Sequence, residues 1–408
     1  MELRADFSTG ERIRHFREKR GMTRAVVANL VGYSSDWLKR IEAGQRGVSI
    51  PALVRLARVL KVDDLSELIN GAMPMPVSAW EGPAHPAATA VRTIVGETRF
   101  RLARTDTAAP DVQELSSRVR RAWQDWHSLA DNHSVVASVL PALIGELERS
   151  AIVLEGAMRR AANAALASAY GLAQHLAVDL VEPEIGRVIA DRAARAAQAA
   201  DDPVSLAFGA WTHGHVLRSV DADAALRTVR EAATELRRHM EGDNDAAGLY
   251  GSLCLHMAIS AAYQGRDGEA WQLWDVADEV ARNLPNGYFH PQTIFGSSNV
   301  DIHGVSLAAE LRRFGEAVAR AERIVPGEVP SRERRGRLYG EIAAGHMQRR
   351  ELEDARRYLE LAYVESPEEV PFSPLTRGVA VELVRTSRGG LKADAVRLAE
   401  RIGVLPAG

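Results

Sequence analysis

One short signature recurs through the second half of the chain: a turn bearing Gly or Asp, then a small Ala near the start of a new helix. It is found at Ala222–Asp223–Ala224–Ala225, Asp267–Gly268–Glu269–Ala270, Phe314–Gly315–Glu316–Ala317, Leu352–Glu353–Asp354–Ala355 and Lys392–Ala393–Asp394–Ala395. Taking the last Ala of each as a marker, the spacings are 45, 47, 38 and 40 residues. A lone helix pair cannot bury its apolar face, so pairs repeated at such intervals stack and share a continuous core. The small marker Ala lets neighbouring helices approach closely. An earlier pair, Ala161–Gln174 and Glu184–Ala200, is expected to join the array, with Trp123–Ala130 and Ser134–Glu155 as its N-terminal cap. No β-rich run interrupts residues 111–408, and 408 residues exceed what one core holds.

Ahead of the array, Met73–Pro74–Met75–Pro76, Gly82–Pro83, His85–Pro86 and Ala109–Pro110 block long helices. Residues 71–110 therefore read as a linker, with Val91–Arg104 a candidate ordered segment inside it. Residues 1–70 read as five short helices. Thr9 caps the first, which runs to about Arg20, with Ile13 and Phe16 inward and Arg12, Arg14 and Arg17 outward. Thr23 caps Arg24–Val31, and Gly32 supplies a turn residue that accepts positive φ. Ser34 caps Ser35–Ala43, with Leu38 and Ile41 buried. Ser49–Ile50–Pro51 opens a fourth helix carrying Leu53, Leu56, Ala57 and Leu60, and Asp63–Asp64 a fifth carrying Leu65 and Leu68. This segment holds 13 Lys and Arg against 9 Asp and Glu, whereas the remainder holds 38 against 45. A basic head on an acidic body fits a nucleic-acid-reading unit attached to a body that avoids phosphates.

The string GERIRHFREKRGMTRAVVANLVGYSSDWLKRIEAGQRGVSIPALVRLARVLKV resembles the XRE (phage-repressor-like) helix-turn-helix family, because small residues, caps and apolar positions agree together. That resemblance implies that the third helix enters the major groove of double-stranded DNA with its N-terminal end leading. Ser34, Ser35, Asp36 and Arg40 then fall at or beside the base-reading positions, and Lys39 reaches base or backbone. Arg can donate two bonds to guanine, and Asp can accept from the cytosine amine. Arg24 and Arg46 fall where phosphates are held. Trp37 has three open placements: packed inward, stacked on sugar, or against a thymine methyl. Two heads on an inverted-repeat operator, carried by a homodimer, supply the contacts that one recognition helix lacks.

The repeats resemble tetratricopeptide repeats in their G-[DE]-x-A turns. The fold expected is thus all-α, a five-helix repressor-type helix-turn-helix domain followed by a tetratricopeptide-like α-solenoid. Projected at the helical period, Asn299, His303, Ser306 and Glu310 fall on one polar stripe, with Val300, Leu307 and Leu311 about a third of a turn away. Counting back from the marker Ala elsewhere gives Trp211 and Arg218; Ser252, His256 and Tyr263; and Arg337, Glu341 and Gln348. Such a stripe lines the concave groove of a solenoid, and Asn offers a donor and an acceptor together, which suits an extended peptide backbone. Head plus body resembles RRNPP-type peptide-pheromone receptors in layout, and FGSSNVDIHGVSLAAELRRFGEA resembles XRE regulators of high-GC Gram-positive bacteria. These resemblances imply a transcription regulator whose groove senses a peptide or small molecule. The alternative is an adaptor whose groove binds another protein while the head tethers it to DNA.

No HExxH, GxxxxGK[ST], GxGxxG or GxSxG motif occurs. His213 and His215 would lie on opposite faces of a helix, unsuited to a shared metal. Cys254, the only cysteine, sits between Leu253 and Leu255 and reads as a small buried hydrophobe. Trp271 and Trp274 share one helical face and read as core. Neither an enzyme nor a cofactor is expected. With no N-terminal apolar run and no 18-residue apolar stretch, the expected location is the cytoplasm, without a membrane partner.

Overall fold

The structure is a computed structural model that describes residues 7–44, 48, 50–69, 85–96, 111–178, 180, 183–218, 221–311 and 313–405. Within these residues it is helical, without a β-strand. The head comprises α1 (Thr9–Lys19), α2 (Arg24–Val31), α3 (Ser35–Glu42), α4 (Ile50–Leu60) and α5 (Ser66–Ile69). Ile13, Val27, Leu38, Ile41, Leu53 and Leu56 fill its centre. Full burial of each such side chain contributes about 1.5–3 kcal/mol, enough for several to hold so small a unit together.

Two local expectations are corrected. Ser8, not Thr9, caps α1: its hydroxyl accepts from the Glu11 N–H, while the Glu11 carboxylate accepts from the Ser8 N–H at 2.8 Å, a reciprocal capping box. Arg12 and Arg17 are buried rather than outward. Arg12 Nε donates to the Phe7 carbonyl at 2.9 Å, and Arg17 reaches Glu42. A long side chain can bend inward wherever a buried acceptor waits, which periodicity alone does not register.

A helix lies inside the stretch read as linker. In α6 (Ala87–Gly96), Ala87, Val91 and Ile94 recur at helical spacing and are buried against the body. Arg192 closes the end of α6 by donating to the carbonyls of Ile94 (2.7 Å) and Val95 (2.9 Å). Met73–Pro76, Gly82–Pro83 and Ala109–Pro110 lie outside the described residues.

The body continues as α7 (Val112–Ser128), α8 (Asn132–Val153), α9 (Gly156–Ala177), α10 (Pro183–Ala200), α11 (Pro203–Arg218), α12 (Ala222–Leu236), α13 (Asn244–Tyr263), α14 (Asp267–Asn283), α15 (Ser297–Glu310), α16 (Phe314–Ala321), α17 (Arg332–Gln348), α18 (Leu352–Glu365), α19 (Pro374–Thr386) and α20 (Gly389–Ile402). The helix expected from Trp123 thus begins eleven residues earlier, at Val112, because Leu115 and Val119 extend its apolar face. The marker alanines Ala225, Ala270, Ala317 and Ala355 each lie in the first turn of the second helix of a pair, Ala395 lies one turn further into α20, and all are buried.

Each helix packs on its pair partner, and α7, α9, α11, α13, α15, α17 and α19 also pack on one another in succession as the inner row. That row curves until α7 meets α17. His127 bridges the closure, with Nδ1 3.2 Å from Ser331 Oγ and Nε2 3.2 Å from the Gln292 carbonyl, and the Ser134 N–H donates to Glu368 at 2.9 Å. The head rests on the far end of the body, where α4 meets α19 and Val381 packs against the head's core. Among the described residues no helix is long and apolar enough to cross a membrane.

Candidate nucleic-acid interface and ligand groove

The turn between α2 and α3 is built by two caps and a glycine. Thr23 Oγ1 accepts from the Val26 N–H at 3.3 Å, and Ser34 Oγ accepts from the Trp37 N–H at 3.1 Å. Gly32 takes φ 79°, a left-handed conformation that strains any residue with a Cβ. Beneath the turn, Arg17 Nε and Nη2 donate to the two oxygens of Glu42 at 2.5 and 3.0 Å, and Arg24 Nε donates to Glu42 Oε2 at 2.7 Å. The Glu42 carboxylate is buried and joins α1, α2 and α3 at one point. Its hydrogen bonds raise the Arg17 pKa.

α3 presents Ser34, Ser35, Asp36, Lys39 and Arg40 to solvent. An open cleft beside it is lined by Arg17, Thr23, Arg24, Ser35, Asp36 and Lys39, among others. Two sequence expectations change. Trp37 is 6% exposed and stacks on Tyr33 with ring centroids 3.9 Å apart, so of its three placements it takes the inward one and leaves the contacting set. Arg24 remains at the cleft but is drawn to Glu42 rather than extended outward. Ser34 spends its hydroxyl on the cap expected of it. Asp36 and Arg40 pair across one helical turn at 2.8 Å, both exposed, a contact worth at most about 1 kcal/mol and easily exchanged for another partner. Arg46 lies outside the described residues. Glu42 and Arg17 were missed as organising residues; the signal was an acidic residue at a buried helix position beside Ile41.

The inner row of the body carries a histidine on each of five consecutive helices: His127 (α7), His175 (α9), His215 (α11), His256 (α13) and His303 (α15). His175 and His215 stand 6.0 Å apart by ring centroid, His215 and His256 4.7 Å. Trp211 joins this wall, 5.1 Å from His175 and 4.5 Å from His215. Desolvation keeps all five neutral. It pushes His127 and His303 down to about 3 and His175 down to about 4, and holds His215 and His256 well below the ordinary imidazole value.

The stripe expected from the sequence comes together here. Arg218 lies over the Tyr263 ring at 5.8 Å, with Nη1 3.4 Å from His256 Nδ1. His303 Nδ1 lies 2.8 Å from the Asn299 carbonyl, and Ser306 Oγ donates to Glu341 at 2.8 Å. Arg337 Nε approaches the same Glu341 at 3.4 Å. Arg218, Tyr263, His303, Ser306 and Glu341 are half-buried, and Arg337 and Glu310 are exposed at the rim. Ser252 turns instead to Thr293, 2.6 Å away, and Gln348 ends α17 in solvent. Among the buried polar atoms without a hydrogen-bond partner are His215 Nδ1, His256 Nε2 and Asn299 Oδ1, the last two on residues 2% and 3% exposed. Native interiors rarely leave such atoms unsatisfied. Sequence reasoning missed His127, His175 and His215 because His213 and His215 were weighed only as a metal pair.

Among the described residues no cluster of His, Cys, Asp and Glu could hold a metal ion. Cys254 is buried, and desolvation pushes its thiol up to about 11. Trp271 and Trp274 are half-buried under the Arg320 guanidinium, 4.4 and 5.4 Å from their rings, rather than wholly core.

A family model described as a helix-turn-helix domain matches residues 9–68, so the chain opens on a helix-turn-helix domain. No curated protein matches the chain in sequence. Among solved structures it is similar to Bacillus thuringiensis PlcR in complex with the peptide PapR7 and DNA, at 12% identity and a TM-score of 0.33, over 90% of this chain and 98% of that one. It is also similar to the apo form of ComR from S. Thermophilus (12%, TM-score 0.30, 77% of this chain and 93% of that one) and to ComR from Streptococcus suis (13%, TM-score 0.22, 79% and 91%). At TM-scores this low these likenesses carry no argument, and the fold rests on the helices described above.

Proposed function

We propose that the chain is a DNA-binding transcription regulator that reads an inverted-repeat operator as a homodimer and senses a signalling peptide or small molecule in the groove of its helical body. The observation that carries this is the exposed face of α3 in a helix-turn-helix domain: Ser35, Asp36, Lys39 and Arg40 project together while Trp37, Leu38 and Ile41 anchor the helix from behind. Such a face offers acceptors and donors to base edges and cations to phosphates. The groove supports the sensing half of the proposal, because unsatisfied polar atoms of His215, His256 and Asn299 on inner helices favour a bound polar partner. The ligand acts by binding two body states unequally, and a tenfold change in DNA affinity needs about 1.4 kcal/mol of that difference.

The test is selection from a random duplex library with the purified full chain, followed by sedimentation of the chain with the selected site. The proposal expects a palindromic consensus with half-sites about one helical turn apart, bound by two chains. A flat library, or one chain per site at micromolar concentration, refutes it. Asn299→Ala and His303→Ala are expected to keep operator binding and lose the response to the inducing cell extract.

A further inference from the structure

Three arginines face the groove, and they are not alike. Arg334 and Arg337 each have a carboxylate near, Glu333 and Glu341, both at 3.4 Å. Arg218 has none: among the described residues no carboxylate lies within ion-pair distance of it. Its polar contact is with His256 Nδ1, and since a guanidinium only donates, that nitrogen accepts and the proton sits on Nε2. Nε2 has no partner. Glu310, at the rim of the same groove, is engaged by the Tyr263 hydroxyl. A desolvated cation without an anion is costly, and folds retain one where a partner arrives from outside. Desolvation also lowers the Arg218 pKa, as expected of a charge short of compensation.

Around Arg218 the wall is aromatic. The Tyr263 ring lies beneath its guanidinium, and Trp211 and His215 sit on the same helix, their rings 4.5 Å apart. The neutral His215 and His256 add no positive charge that would do the work instead.

We propose that the groove holds the oxyanion of its ligand, a carboxylate or a phosphate, at Arg218, with a planar or apolar part of the ligand lying along His215. This rests on the groove being a ligand site, as proposed above.

The test uses the full chain and three small probes read by fluorine NMR: 4-fluorobenzoate, 4-fluorophenyl phosphate and neutral 4-fluorobenzamide. One of the two anions is expected to bind roughly tenfold or more tighter than the amide, and which one it is tells carboxylate from phosphate. The preference is expected to collapse in Arg218→Gln and to survive in part in Arg218→Lys, which keeps a cation. Arg218→Met is expected to melt no lower than the parent, because it removes an uncompensated charge. Equal binding of the three probes, a parent-like preference in Arg218→Gln, or melting several degrees lower in Arg218→Met each overturns the proposal, the last by making Arg218 a structural residue. Operator selection with the parent chain separates the outcomes: equal binding of the three probes by the parent with selection intact removes the subsite and leaves the regulator standing.

Discussion

Arg17 of α1 donates to both oxygens of Glu42 of α3, at 2.5 and 3.0 Å, and neither side chain is more than 8% exposed. α3 is therefore fixed from behind by a buried charge pair, to which Arg24 of α2 adds a third bond.

Removing one member of such a pair leaves the other charged and buried. Glu42→Ala is expected to destabilise the head by about 3–5 kcal/mol. Hydrogen exchange in the full chain is expected to accelerate across residues 9–68 and to leave α13 and α15 protected. Unchanged exchange in the head would show that the pair contributes nothing.

The histidines of the groove wall give the body an acid-sensitive stability. His127 and His303 are pushed down to about 3 and His175 to about 4, chiefly by desolvation. Above the ordinary imidazole range both folded and unfolded chains carry them neutral, so they have no effect. As pH falls through about 6.5 the unfolded chain takes up protons that the folded chain refuses. Each site then costs about 1.4 kcal/mol per pH unit until its folded pKa is reached. The melting temperature is expected to be flat above pH 7 and to fall steeply between pH 6 and 4. A melting temperature constant across that window would contradict the burial of these rings.

Gly251 of α13 faces the ring of Phe295, and a Cβ there would lie 2.0 Å from its Cζ. Phe295 is fully buried and cannot swing into open space. Gly251→Ala gains up to about 1 kcal/mol of helix propensity but forces the ring to move. A net loss of about 1–3 kcal/mol is expected in denaturant titration. An unchanged or raised midpoint would mean that the loop carrying Phe295 yields freely.

The helical array was legible because small residues, turns and apolar periods repeat: Ala225, Ala270, Ala317, Ala355 and Ala395 are all buried. Counting back from those alanines also found residues that touch across repeats, as Arg218 does Tyr263. What stayed hidden depends on three dimensions. Nothing local says that Glu42 sits beneath Arg17, that Trp37 stacks on Tyr33, or that α7 returns to meet α17 through His127 and Ser331. The helix at Ala87–Gly96 overlaps the ordered segment expected at Val91–Arg104, but the prolines around it obscured its start, although Ala87, Val91 and Ile94 keep a helical period.

The central claim, that the exposed face of α3 reads base pairs, is tested most directly by measuring affinity across a library of single-base variants of the selected site. Arg40→Ala is expected to lose about 1–3 kcal/mol at one base pair and to flatten preference there, whereas Arg46→Ala weakens every site alike and lowers the salt slope by about one. If both variants lose affinity identically across the library, α3 contacts only the backbone and the account is wrong.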